Sequence, residues 1–206
     1  MKRRMLLVVL FLWVAPVIVT GQTQSGNLIK NGEFENFSGD TPVGWETSNI
    51  PGTLTVVSST PLGYRGTRAV KCEVKDFYGT KIAGLMSQKD IILPGRALQL
   101  SLRYLFHSVG KDAAVVIVCF LNAAGSTIGT VEECFREDKS EFERFVKDIS
   151  APDAASRCHV RLTILNDAEG GTLHPGSYAV FDDVRLVVLP PQPKPEVRQV
   201  DSAKVQ

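Results

Sequence analysis

The sequence predicts an all-β fold, a sandwich or barrel of short strands, and three observations support this. Apolar and polar residues alternate with a period of two in several segments. Turn signals rich in Gly and Pro separate these segments. No window of about twelve residues combines a 3.6-residue apolar period with helix caps. The turn signals are Pro51-Gly52, Pro61-Leu62-Gly63, Leu93-Pro94-Gly95, Ala123-Ala124-Gly125, Pro152-Asp153 and Gly170-Gly171.

Six segments are predicted to be strands, and the one around residue 100 shows the alternation most clearly. Its apolar side chains share one face, which belongs in the core: Leu98, Leu100, Leu102, Tyr104 and Phe106. The opposite face carries Gln99, Ser101, Arg103, Leu105 and His107. The predicted strands cover residues 69–74, 98–104, 114–121, 142–149, 158–165 and 178–189.

Each end of the chain lies outside the predicted domain, which spans residues 22–189. Three basic residues, Lys2-Arg3-Arg4, precede an apolar run over 5–20. This is the pattern of a signal peptide over residues 1–21, cleaved near Gly21, with an uncleaved signal anchor as the alternative. The cleaved chain is expected to be secreted, to the extracellular space, the periplasm or the cell surface, without a membrane span. Residues 190–206 begin with PPQPKP, which predicts a disordered Pro-rich tail, either a spacer or a frayed end.

The charge balance excludes one class of partner, and the motif content argues against catalysis. A net charge of +1 and a pI of about 7.7 leave no basic footprint, so no nucleic-acid partner is expected. The patterns GxGxxG, GxxxxGKS/T and GxSxG are absent, and we predict no enzymatic activity. His107, His159 and His174 are scattered and form no zinc-binding spacing.

Four cysteines remain in the exported chain, and an even number permits two disulfides. Cys72 and Cys158 both fall on apolar strand faces, so they are either a disulfide pair or two buried thiols. Cys119 and Cys134 lie on either side of residues 122–133, and a disulfide between them would join the two ends of that segment. The sequence leaves the connectivity open.

Motifs at both ends of the domain and in its middle carry a resemblance to a known family. They are NLIKNGEFE (27–35), PVGW (42–45), RGTRAV (65–70), LPGRALQLS (93–101) and YAVFDDVRL (178–186). In this order they resemble carbohydrate-binding modules of families 4, 9 and 22, galactose-binding-like jelly rolls attached to bacterial cellulases and xylanases. The resemblance covers residues 26–189. It implies a two-sheet jelly-roll β-sandwich and a monomeric, non-catalytic module that binds a poly- or oligosaccharide in association with glycoside hydrolases. Trp45, in the Gly-Trp turn of this pattern, is expected to pack in the core rather than to bind sugar.

The resemblance also implies a structural calcium ion between the first and last strands. Its ligands would be the side chains of Glu35 and Asp182 and main-chain oxygens near Glu33 and Arg68, because Ca²⁺ neutralises facing carboxylates. Arg65 stands where some members carry an acidic ligand, so a salt bridge from Arg65 to Glu35 or Asp182 is the alternative. Strand alternation predicts that Asp183, the next residue, points away from Asp182 and is exposed.

The polar face of the strand at 98–107 is the predicted sugar-binding groove, on the concave sheet. Gln99, Arg103 and His107 are its candidate contacts, and Arg103 replaces an aromatic residue that glucan- and xylan-binding relatives carry. An arginine suits hydroxyl groups and also an acidic glycan. Tyr64 and Tyr78, in flanking loops, are candidate stacking residues at the rim. Two alternatives stay open: a structural or adhesive cell-surface domain without a sugar ligand, and a small hydrolase or lyase.

Overall fold

The computed structural model describes residues 26–168 and 170–190, and every regular element within them is a β-strand. The predicted signal peptide and all but the first residue of the predicted tail lie outside the described residues. Because the described part contains no helix, it offers none that is long and apolar enough to cross a membrane. The predicted all-β class is confirmed.

The strands follow one another along the described chain without an intervening helix. In chain order they are β1 (Phe37–Ser38), β2 (Thr41–Pro42), β3 (Glu46–Thr47), β4 (Val57–Thr60), β5 (Ala69–Phe77), β6 (Thr80–Ala83), β7 (Met86–Ile92), β8 (Ala97–His107), β9 (Asp112–Leu121), β10 (Thr127–Phe135), β11 (Lys139–Ser150), β12 (Arg157–Asn166) and β13 (Tyr178–Val188).

Two antiparallel sheets pack face to face. The six-stranded sheet has the order β11-β8-β13-β5-β4, with β6 also paired to β5. The five-stranded sheet has the order β10-β9-β12-β7-β3, and β1 pairs with β2 in a small hairpin. Strands that are neighbours in a sheet are mostly not neighbours in sequence, so the chain crosses repeatedly between the two layers. This is the predicted two-sheet jelly-roll sandwich.

Alternation along the strands fills the space between the sheets. All five side chains of β8 that were assigned to the core are buried, and Tyr104 is the most exposed of them at 7%. Val116, Phe120 and Leu162 of the five-stranded sheet belong to the same core cluster. Burying one such side chain contributes about 1.5–3 kcal/mol. The core is therefore a single layer shared by both sheets.

Trp45 belongs to this core, as the sequence predicted. It is 5% exposed, and its ring centroid lies 5.4 Å from that of Phe34. Its indole N–H donates to the Lys30 carbonyl oxygen at 3.1 Å. A buried indole with a satisfied N–H is a packing residue.

All six predicted strands form, whereas the sequence did not indicate the longer strands β7 and β10 or the short strands β1, β2, β3, β4 and β6. In β7 the pair Lys89-Asp90 interrupts the apolar pattern, and Asp90 has a φ of 53°, where the register with β12 shifts. A bulge of this kind breaks the period of two. β10 is the edge strand of its sheet, and all but one of its residues are exposed or partly exposed. Its weak apolar signal follows from that position.

The opening and closing segments of the described domain are neighbours in space. The Leu28 N–H donates to the Leu186 carbonyl at 2.8 Å, and the Val184 N–H donates to the Gly32 carbonyl at 2.9 Å. A Cβ atom at Gly32 would lie 2.1 Å from the Val184 carbonyl oxygen, so the contact requires glycine. The first and last motifs of the sequence therefore meet at one place in the fold.

All four cysteines are free thiols. Cys72 and Cys158 are buried in the core, and burial raises the pKa of each to about 12. The Cys119–Cys134 disulfide offered by the sequence is wrong, because the register places Cys119 opposite Thr130 and Cys134 opposite Val115. Four residues along a strand separate the two cysteines by about 13 Å, which is beyond the reach of a disulfide.

Candidate functional site

The outer face of the six-stranded sheet, turned away from the core, carries three of the predicted ligand residues. On β8, Gln99, Arg103 and His107 alternate with buried apolar side chains and are partly or fully exposed. Successive members of this row are four residues apart, about 13 Å along the strand. The structure thus places the three side chains in a row on one face.

The register identifies the neighbours of Arg103 on this face. Arg144 of β11 lies directly opposite Arg103 on one side, and Asp182 of β13 lies directly opposite on the other. Directly opposed residues project to the same face, with Cβ atoms about 5 Å apart. Asp182 is nevertheless 0% exposed, because a loop lies over it.

The covering segment is the β4–β5 loop, residues 61–68, and Asp182 anchors its first half. The backbone N–H groups of Tyr64 and Arg65 donate to Asp182 Oδ2 at 2.7 and 2.9 Å. The N–H of Asp183 donates to Oδ1 at 2.7 Å. Burial raises the pKa of Asp182, and these three donors offset part of the increase. The carboxylate is a structural anchor that the loop shields from any ligand.

Glu35 holds the second half of the same loop. Its Oε1 atom accepts the backbone N–H groups of Thr67 and Arg68, both at 3.0 Å, and the Thr67 hydroxyl donates to Oε2 at 3.1 Å. The hydrogen bond from Arg68 is the main cause of a lowered pKa of Glu35. Gly66 has a φ of +78°, and a Cβ atom there would lie 2.4 Å from Glu35 Oε1. The close approach of the carboxylate explains the glycine of the RGTRAV motif.

The carboxylates predicted to bind calcium are occupied by N–H donors. Four loop N–H groups direct the positive ends of their dipoles at Glu35 and Asp182, which is the role a cation would fill. In the part of the chain that the structure describes, no group of three or more His, Cys, Asp or Glu side chains is placed to hold a metal. Glu33 lies 3.5 Å from Arg185 Nη2, and the Arg68 backbone contributes a donor rather than a ligand to Glu35. This donor set does not fit a calcium cage, and calcium stays a prediction of the resemblance.

The structure differs from the expectations for Arg65 and Asp183. Arg65 Nε lies 3.6 Å from Asp183 Oδ2, and among the described residues its guanidinium forms no ion pair with Glu35 or Asp182. Asp183 is not an exposed acid, since its side chain is 15% exposed and its Oδ1 accepts a hydrogen bond from Arg185 Nε at 2.7 Å. The register shifts at Asp183, which has a φ of 49°. This bulge breaks the alternation on which the expectation rested.

Tyr64, in the β4–β5 loop, forms a cluster with Arg103. The Arg103 guanidinium carbon lies 4.2 Å from the centre of the Tyr64 ring, a cation–π stack. Phe142 of β11 meets the Tyr64 ring edge-on, with ring centroids 5.8 Å apart. The Tyr64 residue remains 43% exposed. We call Tyr64, Arg103, Phe142 and Arg144 the aromatic–arginine cluster.

The two ends of the row on β8 are engaged by the protein's own side chains. Gln99 Nε2 donates to Asp148 Oδ1 at 2.8 Å. His107 Nδ1 lies 3.3 Å from Asp138 Oδ2, and its ring centroid lies 5.4 Å from that of Tyr178. Arg103, at the centre of the row, is therefore the one of these three side chains that has no carboxylate partner among the described residues.

Tyr78 does not join the cluster. It occupies the turn between β5 and β6 with a φ of 50°, is 93% exposed and contacts only the ring of Phe77 among the described aromatic residues. Val70 of the same hairpin pairs with Phe181, and the next residue, Asp182, pairs with Arg103. The eight residues from Val70 to Tyr78 span about 26 Å. The two tyrosines predicted to form the rim therefore lie far apart.

Sequence reasoning missed Phe142, Arg144, Tyr178 and Lys71 as residues of this face. The period of two along the predicted strand at 142–149 already groups Phe142 with Arg144. The sequence does not show that this strand lies beside β8, and only the register supplies that. Lys71 was missed for the same reason. Its ammonium group lies 4.6 Å from the centre of the Tyr178 ring, and Tyr178 is on a neighbouring strand.

No protein-family model and no curated protein matches the chain. Solved structures do match. A family 16 carbohydrate-binding module has a TM-score of 0.55 at 22% identity, over 78% of this chain and 99% of that chain. The CBM22-1 xylan-binding domain of Xyn10C from Paenibacillus barcinonensis has a TM-score of 0.51 at 15% identity, over 82% and 98%. The enzymatically active domain of tailspike protein 4 from bacteriophage CBA120 has a TM-score of 0.55 at 17% identity, over 79% and 21%.

The chain has the jelly-roll fold of carbohydrate-binding modules. The fold that the ordered motifs implied is thereby confirmed, and the two matched modules are covered over nearly their whole length. The chain spans about a fifth of the tailspike domain. At these identities the likeness shows the fold alone, because one fold hosts many functions.

Proposed function

We propose that this chain is a non-catalytic module that binds a poly- or oligosaccharide on the outer face of its six-stranded sheet. The observation that carries the proposal is the stack of Arg103 on the partly exposed Tyr64 ring, beside Phe142. The C–H face of a sugar packs on an aromatic ring, and a guanidinium donates to hydroxyl groups. The aromatic–arginine cluster offers both kinds of contact. Two structures of the same fold, carbohydrate-binding modules by name, support the proposal.

The row on β8 sets the extent of the proposed groove. From Gln99 to His107 it runs about 26 Å, which suits a chain of several sugar units. Tyr64 and Arg103 form the central contact, and Gln99 and His107 are polar contacts toward the two ends. Tyr78, at the tip of the β5–β6 hairpin, lies outside this proposed contact surface.

A catalytic role for this face is less well supported. Glycoside hydrolysis uses two carboxyl groups that reach the substrate. Asp182 has the raised pKa of a candidate acid, but it is 0% exposed and its oxygens accept three backbone N–H groups. Asp183 is paired with Arg65 and Arg185. These carboxylates hold the loop in place.

A second candidate function is a structural or adhesive domain without a sugar ligand. Gln99 and His107 favour it, because each already has a carboxylate partner on the sheet. Under this alternative the outer face is satisfied by its own side chains. Arg103 is the residue on which the two candidates differ, since its polar edge has no such partner among the described residues.

Titration of the purified domain with a panel of soluble glycans tests the proposal. We expect binding to at least one glycan, and a loss of about tenfold or more in affinity in Arg103→Ala, a size typical of lost charged hydrogen bonds. Thermal unfolding of the same variant should remain cooperative. Arg161→Ala, on the outer face of the five-stranded sheet, is the matched control and should bind normally. Absence of binding across the panel would favour the structural domain.

Export and association with a glycoside hydrolase belong to the same proposal. A sugar polymer outside the cell is the expected target of a secreted module, and the signal-peptide pattern supports that location. The module is expected to act as a monomer. Calcium is not needed for this account, because backbone N–H groups already face both carboxylates.

A further inference from the structure

We infer that the glycan recognised by this face carries an anionic group, a carboxylate or a sulfate, bound between Arg103 and Arg144. The inference rests on the proposed function and narrows its ligand to acidic sugars. Its starting point is the register of β8 and β11, in which the two arginines are directly opposed on the outer face. Neither guanidinium forms an ion pair with any residue of the described chain.

Like charges directly opposed on neighbouring strands are destabilising. The carboxylates of this face are committed elsewhere. Asp182 accepts backbone N–H groups beneath the loop, Asp183 pairs with Arg65 and Arg185, and Asp148 accepts from Gln99. Among the described residues, neither guanidinium therefore has an ion-pair partner, and the nearest carboxylate in register, Asp182 opposite Arg103, lies beneath the loop.

The two arginines differ in how firmly they are held. The Tyr64 ring stacks on the Arg103 guanidinium and fixes its plane, whereas Arg144 is exposed on the edge strand. A planar guanidinium presents paired N–H groups that match a carboxylate or sulfate in a bidentate way. A held arginine lowers the conformational entropy lost on binding, and an exposed one has room to adjust to the ligand.

The position of the two arginines beside the aromatic rings indicates the chemical class of the ligand. Phe142 lies two residues before Arg144 on the same face, and it meets the Tyr64 ring. An apolar sugar face on these rings would bring its charged substituent within reach of both arginines. A uronic acid presents a carboxylate and a sulfated sugar presents a sulfate on a ring of this kind. A free anion lacks the surface that the rings would bind.

The test compares three probes at low salt: neutral xylan, polygalacturonate and a carrageenan, which carries sulfate but no carboxylate. We expect the wild-type protein to prefer an acidic probe and to lose that preference as salt rises. Arg144→Gln should weaken binding of the acidic probe about tenfold, the size expected for charge-assisted hydrogen bonds, and weaken binding of the neutral probe clearly less. Arg161→Gln removes the same charge from the opposite sheet and is the control for nonspecific attraction.

Each result decides between named outcomes. Preference for polygalacturonate indicates a carboxylate, and preference for the carrageenan indicates a sulfate. Equal affinity for neutral and acidic probes overturns the inference and leaves the proposed function intact. Acidic binding that falls equally in Arg144→Gln and Arg161→Gln is nonspecific and also overturns it. If the protein binds none of the three probes and no glycan of the wider panel, both the inference and the proposed function are contradicted.

Discussion

Glu35 and Asp182, from opposite ends of the domain, hold the two halves of one loop. Asp182 accepts the N–H groups of Tyr64 and Arg65, and Glu35 accepts those of Thr67 and Arg68. The loop in turn carries Tyr64 to Arg103. The geometry of the candidate site therefore depends on two carboxylates that do not contact the proposed ligand.

Asp182→Ala should be strongly destabilising. The change leaves three backbone N–H groups without their acceptor in a buried place, and each unsatisfied donor costs about 1–3 kcal/mol. We expect a loss of about 3 kcal/mol in the free energy of unfolding, measured by urea denaturation. Asp183→Asn, which weakens partly exposed ion pairs and keeps a residue type that tolerates the positive φ, is the control and should lose clearly less. Equal losses in the two variants would contradict the anchor role of Asp182.

Calcium should have little effect on the stability of this protein. An ion that binds only the folded state raises the melting temperature by mass action. Because N–H donors already occupy Glu35 and Asp182, we expect the same melting temperature in excess EDTA and in millimolar CaCl₂. Differential scanning fluorimetry measures this directly. A rise of several degrees with calcium that is absent in Glu35→Gln would restore the ion predicted from the sequence.

Tyr64 and Tyr78 should differ in their contribution to glycan binding. Tyr64 stacks on Arg103, whereas Tyr78 lies at the tip of the β5–β6 hairpin. We expect Tyr64→Ala to reduce affinity about tenfold, in line with a lost stacking contact and the loosening of Arg103, and Tyr78→Ala to leave it unchanged. Affinity gel electrophoresis of the two variants provides the comparison. A larger effect of Tyr78→Ala would move the site to the other end of the sheet.

Stability should fall in acid partly through Asp112, which is 2% exposed and joins two loops. It accepts hydrogen bonds from the His174 N–H at 2.8 Å, the Ser177 hydroxyl at 2.7 Å and the Asn166 amide at 3.0 Å. Burial raises the pKa of Asp112, but the bonds from His174, Ser177 and Asn166 together hold it below its ordinary value.

A lowered folded-state pKa gives a stabilisation that is present above the unfolded pKa and is lost as the pH falls through the folded one. The free energy of unfolding should therefore decline below about pH 4, the ordinary range of an Asp. Asp112→Asn should be less stable at pH 7 and should show a shallower acid decline. Urea titrations between pH 7 and pH 2 test this. Parallel profiles for the two proteins would exclude Asp112 as a source of the pH dependence.

The four thiols should all be free in the folded protein. Cys72 and Cys158 are buried with a raised pKa, so they should react with a thiol reagent only after unfolding. We expect four thiols per chain in denaturant and the same electrophoretic mobility with and without reductant. Fewer than four thiols in the protein after export would show that a disulfide forms in the oxidising compartment.

The strands that the sequence predicted are those whose two faces differ most. On β8 the alternation of Leu98, Leu100 and Leu102 with polar residues identifies both the core face and the outer face. β10 has one sheet neighbour and partly exposed side chains, so its pattern is weak. The bulge at Asp183 was also invisible, because an extra residue in a strand leaves no mark in the composition.

By itself the sequence determined the all-β class, the core face of β8 and the row of polar residues opposite it, because a period of two is a local property of the chain. It also determined that the motifs at the two ends belong together, through their resemblance to a known fold. Only the tertiary structure decided that Arg144 lies opposite Arg103 and that N–H groups of the β4–β5 loop meet Glu35 and Asp182. Strand order and register bring together residues distant in sequence, and no local pattern encodes which strands become neighbours.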